Sequence, residues 1–394
     1  MKLTHPVTLS RRALRALLLV GLVAGPFAAC SDDPNEPNPP AGGSFVLVPN
    51  MRAEDVSADG TTVLLTDIQS PTADFYFHDV AAGTTTFQAS PGDMAYDFAT
   101  GISNGLRVSA IHGKPEQAGL WQQAGGWLDL GNIYPTGCEY DDVTHEQNQS
   151  GAFDIDSAGL VAVGLVWNGC NAEAFRWSNG AFTALDLLGT GIPDDSLPNV
   201  YGIPSNRATV VSDDGEIAAG FASDTATVGG ITYFIDRRPA YWNANGAGTM
   251  IPSTLPEFSP DAPGEVLAIS GDGSRMAGIW NLKAWTWSAA GGLVNLSGEG
   301  GGYAQAVARN GELVFGTNAA GFDPPVPFVW TQAGGVQSLL DIAAANGVTV
   351  PANYWWEAIS AVSADGTVIT GTVWDDMGNY NSYVLKLPAT AYDM

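Results

Sequence analysis

One unit recurs seven times along the chain, and that recurrence constrains the fold more than any other feature. Its anchor is a short turn that leads into a strand. The copies are Val56-Ser57-Ala58-Asp59-Gly60, Ile102-Ser103-Asn104-Gly105 (one residue shorter), Ile155-Asp156-Ser157-Ala158-Gly159, Val211-Ser212-Asp213-Asp214-Gly215, Ile269-Ser270-Gly271-Asp272-Gly273, Val307-Ala308-Arg309-Asn310-Gly311 and Val362-Ser363-Ala364-Asp365-Gly366. From Gly60 to Gly366 they are spaced about 51 residues apart on average. Asp-Gly and Asn-Gly between apolar runs are hairpin signals, because the turn needs positive φ.

The rest of the unit is regular too. Five residues after the turn glycine stand Gly164, Gly220, Gly278, Gly316 and Gly371, with Leu65 and Ala110 in the first two copies. A glycine inside a strand implies close approach by something large. The expected neighbour is an aromatic ring of the next strand. That strand reads Phe75-Tyr76-Phe77, Gly119-Leu120-Trp121, Phe175-Arg176-Trp177, Ala240-Tyr241-Trp242, Trp285-Thr286-Trp287 or Phe328-Val329-Trp330. A glycine turn and a fourth strand follow, as in Gly125-Gly126-Trp127-Leu128-Asp129-Leu130 and Gly291-Gly292-Leu293-Val294-Asn295-Leu296. Seven four-stranded meanders predict an all-β, seven-bladed β-propeller over 42–388. The repeats run about 51–90, 98–132, 150–189, 206–254, 264–297, 303–346 and 355–388. The last copy lacks a fourth strand, and 42–48 carries the missing Gly-Gly-x-x-x-Leu piece. Residues 42–48 are therefore expected to close the ring, which also covers an exposed sheet edge.

Residues 1–29 read as an export signal. Lys2, Arg11, Arg12 and Arg15 precede an apolar run from Ala16 to Ala29. The end, Phe27-Ala28-Ala29-Cys30, resembles the bacterial lipobox, which implies a lipid on Cys30. Ser10-Arg11-Arg12 loosely resembles a twin-arginine signal. Residues 30–41, rich in Pro and polar side chains, read as a tether. Expected locations are the bacterial envelope or cell surface, with membrane contact through the lipid anchor only, or secretion. Export permits a disulfide, and Cys138–Cys170 is the leading candidate.

Charge narrows the partners. The chain has 15 Lys+Arg against 41 Asp+Glu and a net charge of −26, which becomes −30 once residues 1–29 are removed. Nucleic acid is a poor partner for such a polyanion, because phosphate contacts need Lys and Arg. With 45% hydrophobic residues, the chain is too apolar for disorder.

The pattern Ser-x-Asp-Gly, strand glycine, Ala-Phe-x-Trp (Ala174-Phe175-Arg176-Trp177) and Gly-Gly resembles the HAF-type extracellular repeat family. The first copy, Phe75 to Gly83, also resembles TolB-type and WD-repeat-like propeller units. The resemblance implies a secreted or surface lipoprotein and no defined activity.

The turns between strands one and two and between strands three and four share one face of such a ring. The long connections, among them 131–149, 189–205, 222–238, 343–354 and 374–381, share the other. Recognition usually sits on variable loops carried by a rigid scaffold, so the long-loop face and channel mouth are the expected site. Candidate ligand-binding residues there are Tyr140, Asp141, Asp142, His145, Trp167, Asp194, Asp195, Trp355, Trp356, Trp374, Asp375 and Asp376. Aromatic rings stack on sugar faces and carboxylates accept hydroxyl protons, so a glycan suits the set. A protein ligand is the other option, and clustered carboxylates also suit calcium. The bland reading makes most of these tryptophans core and most of these acids a solvated surface.

Three functions follow: a monomeric binding module, a polysaccharide-active hydrolase or lyase using loop carboxylates, or an envelope-complex scaffold. No catalytic residue is assigned. Gly101-Ile102-Ser103-Asn104-Gly105 fits Gly-x-Ser-x-Gly only in letters, because a nucleophile elbow joins a strand to a helix and this is a hairpin.

Overall fold

The computed structural model describes residues 42–393 except 93–96, 114–115, 134–137, 141–142, 146–148, 168–171, 189–204, 229–230, 260–261 and 320–323. Seven four-stranded antiparallel sheets form the blades of a β-propeller. Blades one to six span 51–89, 98–131, 149–184, 206–250, 264–295 and 301–338. Blade seven takes three strands from 355–386 and its outermost from Ser44–Pro49. That strand pairs with Tyr380–Lys386, from Ser44 opposite Lys386 to Pro49 opposite Asn381. Phe45 stacks on Tyr383 at 5.8 Å and meets Trp356 at 6.1 Å. The expected closure of the ring by the N-terminal strand is thus present.

The recurring turn is built from its own side chains. Gly60 takes φ +70°, which an L-residue with a Cβ resists. Ser57 Oγ donates to Asp59 Oδ1 (2.7 Å) and accepts from Thr62 N (3.0 Å). Ser212–Asp214, Ser270–Asp272 and Ser363–Asp365 repeat the bond. Neighbouring turns are then stitched into a circle. Asp59 N donates to Asn104 Oδ1, Asn104 N to Ser157 O, and Ser157 Oγ to Asp213 O. Asp214 N donates to Gly271 O, Gly271 N to Arg309 O, Arg309 N to Ala364 O, and Ala364 N to Ala58 O. Every blade-to-blade junction on this face is crossed by at least one such bond.

The innermost strand of every blade carries a β-bulge at the same place, at Glu54, Thr100, Phe153, Thr209, Leu267, Gln305 and Ser360. A bulge re-aims its side chain and bends the strand, and all seven residues line the central channel. The bulge also explains the second-strand glycines. A Cβ on Gly164, Gly220, Gly278, Gly316 or Gly371 would run first into a backbone carbonyl of the bulged strand, respectively Gly151, Arg207, Glu265, Tyr303 and Ala358. Aromatic rings come second, and only at Gly164 (Phe175), Gly316 (Phe328) and Gly371 (Tyr383). The expected aromatic neighbour is therefore a lesser cause than the bulged backbone.

Two long connections are more regular than expected. Residues 222–238 extend blade four as a hairpin, Ile217–Val228 with Ile231–Asn243. A helix, Leu339–Ala345, capped by Ser338 Oγ, packs Leu339 and Ile342 into the core beside blades six and seven. No helix among the described residues is long and apolar enough to cross a membrane.

Candidate functional site at the two ends of the channel

Toward the tight-turn face the channel forms a cavity of about 270 Å³. Carboxylates dominate its charge: Glu54, Asp55, Asp154 and Asp213, against Arg309. Asp55 Oδ2 accepts from Ile102 N of the next blade (2.7 Å), and Asp154 Oδ2 accepts from Val211 N (2.8 Å). These acids thereby join blades one to two and three to four. Burial pushes Asp55 up from an ordinary 3.8 to about 7, against the pull of the Ile102 and Val56 N–H groups. Burial and then the Asp55 charge raise Asp154 well above the usual carboxylate range. Burial raises Asp213 despite Arg309 Nε at 3.3 Å.

A carboxyl raised on folding favours the native state only while it stays protonated. Stability should therefore fall as pH rises from about 4 through about 7. Acids held below 3.8 act only under that range. In Asp59 and Asp365, partial burial is outweighed by hydrogen bonds from Ser57 and Thr61 or from Ser363 and Thr367. The melting midpoint is expected to be several degrees higher at pH 5 than at pH 8, with Asp55→Asn flattening the profile. Equal midpoints in the unmodified protein would contradict this.

The long-loop end is built differently. Two positions before the channel bulge, six blades present Arg52, Phe98, Gly151, Arg207, Glu265 and Tyr303, and blade seven adds a second bulge at Glu357. Glu265 is almost fully buried and takes three donors: Arg207 Nη2 (2.6 Å), Thr209 Oγ1 (2.6 Å) and Arg237 Nη1 (3.0 Å). The Arg207 guanidinium lies 4.8 Å from both the Phe153 and Phe221 rings. In blade one Arg52 Nη2 meets Glu54 Oε1 at 2.8 Å and its Cζ lies 5.9 Å from the Phe98 ring.

The blade-seven rim groups aromatic rings with one carboxylate. Glu357 accepts from Tyr380 OH (2.6 Å) and Trp374 Nε1 (3.0 Å). The Trp374 and Tyr380 rings lie 4.0 Å apart, and Trp355 pairs with Trp374 across the strands. Trp355 is 45% exposed. Leu282, Tyr303, Val326 and Met377 are exposed at the same end of blades five to seven.

Of the residues named from sequence, Trp355 and Trp374 come together here. Trp356 does not join them. A bulge between Trp356 and Ala358 accompanies its inward turn, where it is 4% exposed against Tyr383. Trp280, which ends a second strand at this face, is fully buried and donates Nε1 to Ser259 O and Ala262 O. Asp375 holds its own loop, with Oδ1 accepting from Met377 N and Asn379 N and Oδ2 from Asn379 Nδ2. The Asn379 bonds keep it below the usual range. Asp376 is exposed. Trp167 stands away from this rim, beside blade two. Tyr140 and His145 lie on a short hairpin, Cys138–Tyr140 with Val143–His145. Asp141, Asp142, Asp194, Asp195, Cys30 and Cys170 lie outside the described residues. Among the described residues no group of three or more His, Cys, Asp and Glu is arranged to hold a metal ion.

No family model matches the chain, and no curated protein does. Solved structures do. The oligogalacturonate lyase of Vibrio parahaemolyticus aligns with TM-score 0.50 and 10% identity, over 88% of this chain and 97% of that one. The β-propeller domain of the Trilobed protease from Pyrococcus furiosus aligns with TM-score 0.50 and 7% identity, over 85% and 93%. The likeness is one of fold. The Pyrococcus domain has an open velcro topology, whereas Ser44–Pro49 closes the ring here. TolB from Acinetobacter baumannii aligns with TM-score 0.36 and 9% identity, over 87% and 80%, which carries no argument.

Arg52, Phe98, Arg207, Glu265, Tyr303 and Glu357 were not legible as a group from sequence. The available signal was scarcity. Of the Lys and Arg outside residues 1–29, Arg52 and Arg207 stand at the starts of innermost strands, and Arg237 and Arg238 where blade four continues into its long hairpin.

Proposed function

We propose that the chain is an exported, lipid-anchored propeller of the HAF-repeat kind that holds a glycan on its long-loop face. The observation that carries the reading is the blade-seven rim, where exposed Trp355 adjoins the Trp374–Tyr380 pair and the Glu357 carboxylate. A flat ring stacks on the apolar face of a sugar, and a carboxylate accepts its hydroxyl protons. Tyr303 and the paired arginines extend the same surface across the channel mouth. The anchor rests on the basic start, the apolar run and Cys30. Palmitate labelling that disappears in Cys30→Ser tests it.

A glycan-array screen of the mature domain, with and without calcium, tests the binding reading. Retention is expected on at least one glycan class. Trp355→Ala should weaken it about tenfold, the loss of one stacked ring of roughly 1.4 kcal/mol. No released product should accumulate. Product release would replace this reading with the polysaccharide-active one. Absence of binding alongside a co-purified protein would replace it with the scaffold.

A further inference from the structure

A second concavity opens on the long-loop face, between blades two and three and apart from the blade-seven rim. It measures about 540 Å³, within the range of small-molecule sites. Its origin is one missing side chain. In the ring of mouth residues, blade three carries Gly151. A Cβ there would come within 2.7 Å of Ile111 Cγ1. Without it, Ile111, Phe153, Leu165 and Trp167 line an apolar hollow, two of them aromatic.

Among the described residues, Glu116 is the only charged one in that lining. Its Oε2 accepts from Gln149 Nε2 at 2.7 Å, which holds the carboxylate in place while Oε1 can take a further donor. The floor is rigid. Ser150 Oγ accepts from Ala118 N (2.8 Å) and donates to Gly131 O (2.8 Å), joining the two blades beneath the hollow. Arg207 stands on Phe153, yet its charge is met by Glu265. The hollow thus combines an apolar body, aromatic faces and one negative charge.

We propose that this pocket binds a small organic cation, an ammonium carried on an apolar ring or chain. Ring quadrupoles attract a cation, and the carboxylate supplies a charge-assisted hydrogen bond. A neutral apolar ligand would leave Glu116 without a counter-charge, and an anionic one would be repelled by it. The surrounding chain, at −26 overall, also concentrates cations near its surface. The proposal does not rest on the glycan reading, because Trp355 and Glu357 lie on another blade.

Phenethylammonium and its neutral isostere 2-phenylethanol, titrated calorimetrically into the mature domain, provide the test. The ammonium should bind about tenfold more tightly, since cation–π attraction and the ion pair together reach roughly 1.4 kcal/mol. Glu116→Gln should erase that preference while leaving the melting midpoint unchanged. Trp167→Ala should weaken the ammonium more than the alcohol, and Gly151→Val should block both. Gly151→Val crowds Ile111, so Glu116→Gln decides the matter if that variant does not fold. Equal affinity for the two probes, or a preference that survives Glu116→Gln, would overturn the proposal.

Discussion

Deleting residues 44–49 while keeping the rest of the mature chain should lower stability sharply and make the protein aggregate. The strand completes blade seven, and its loss leaves Tyr380–Lys386 with an unpaired edge. Phe45 and Leu47, which pack on the largest core cluster, would lose their burial. Those two half-buried side chains alone account for roughly 2–3 kcal/mol at ordinary transfer values. The ladder is lost besides, together with the packing of Val48 on the cluster shared by blades seven and one. A milder version, Phe45→Ala, should cost about 1.5–2 kcal/mol, because the half-buried ring packs on Tyr383 and Trp356. Unchanged melting of the deletion variant would contradict the closed ring.

Gly278→Ala should be nearly as damaging, although it adds a single methyl. The new Cβ would overlap the Glu265 carbonyl oxygen and come within 3.1 Å of Leu267 N. Both are backbone atoms of a bulged strand, so neither can swing aside as a side chain could. A loss of about 2–3 kcal/mol is expected from such overpacking. Gly83→Asn is the control. Gly83 has φ +66° and nothing within 4 Å of a Cβ, and Asn tolerates that conformation. Chemical denaturation of both variants measures the contrast. A stable Gly278→Ala would mean that the bulged backbone yields, and the account of the strand glycines would fail.

The legible part of this fold was its local part. Ser57, Asp59 and Gly60 make one another's hydrogen bonds within six residues, so the turn is written in consecutive letters. The bulges were not legible, because their residues share no chemistry: Glu54, Thr100, Phe153, Thr209, Leu267, Gln305 and Ser360. What they share is a place on the channel wall. Alternation itself divides the candidate tryptophans. Trp355 and Trp356 are neighbours in one strand, so one faces solvent and the other packs on Tyr383. Trp280 ends a second strand at the same face, and strand position does not reveal the loop that covers it, here Ser259 and Ala262. The Glu265 cluster joins blades four and five from residues up to 58 positions apart, a separation at which no motif could have signalled it.

The two ends of the channel therefore differ in chemistry. One is a ring of stitched turns over carboxylates, and the other carries rings, paired arginines and Glu357. Ligand is expected to land on the second. Assigned indole N–H signals of the mature domain, followed by nuclear magnetic resonance during titration with a glycan retained on the array, measure it most directly. The account predicts that the Trp355 and Trp374 signals shift together, while buried Trp242, Trp280 and Trp285 stay still. Shifts confined to backbone signals of the turns around Ala58, Asp213 and Ala364, with both rim tryptophans unmoved, would contradict it.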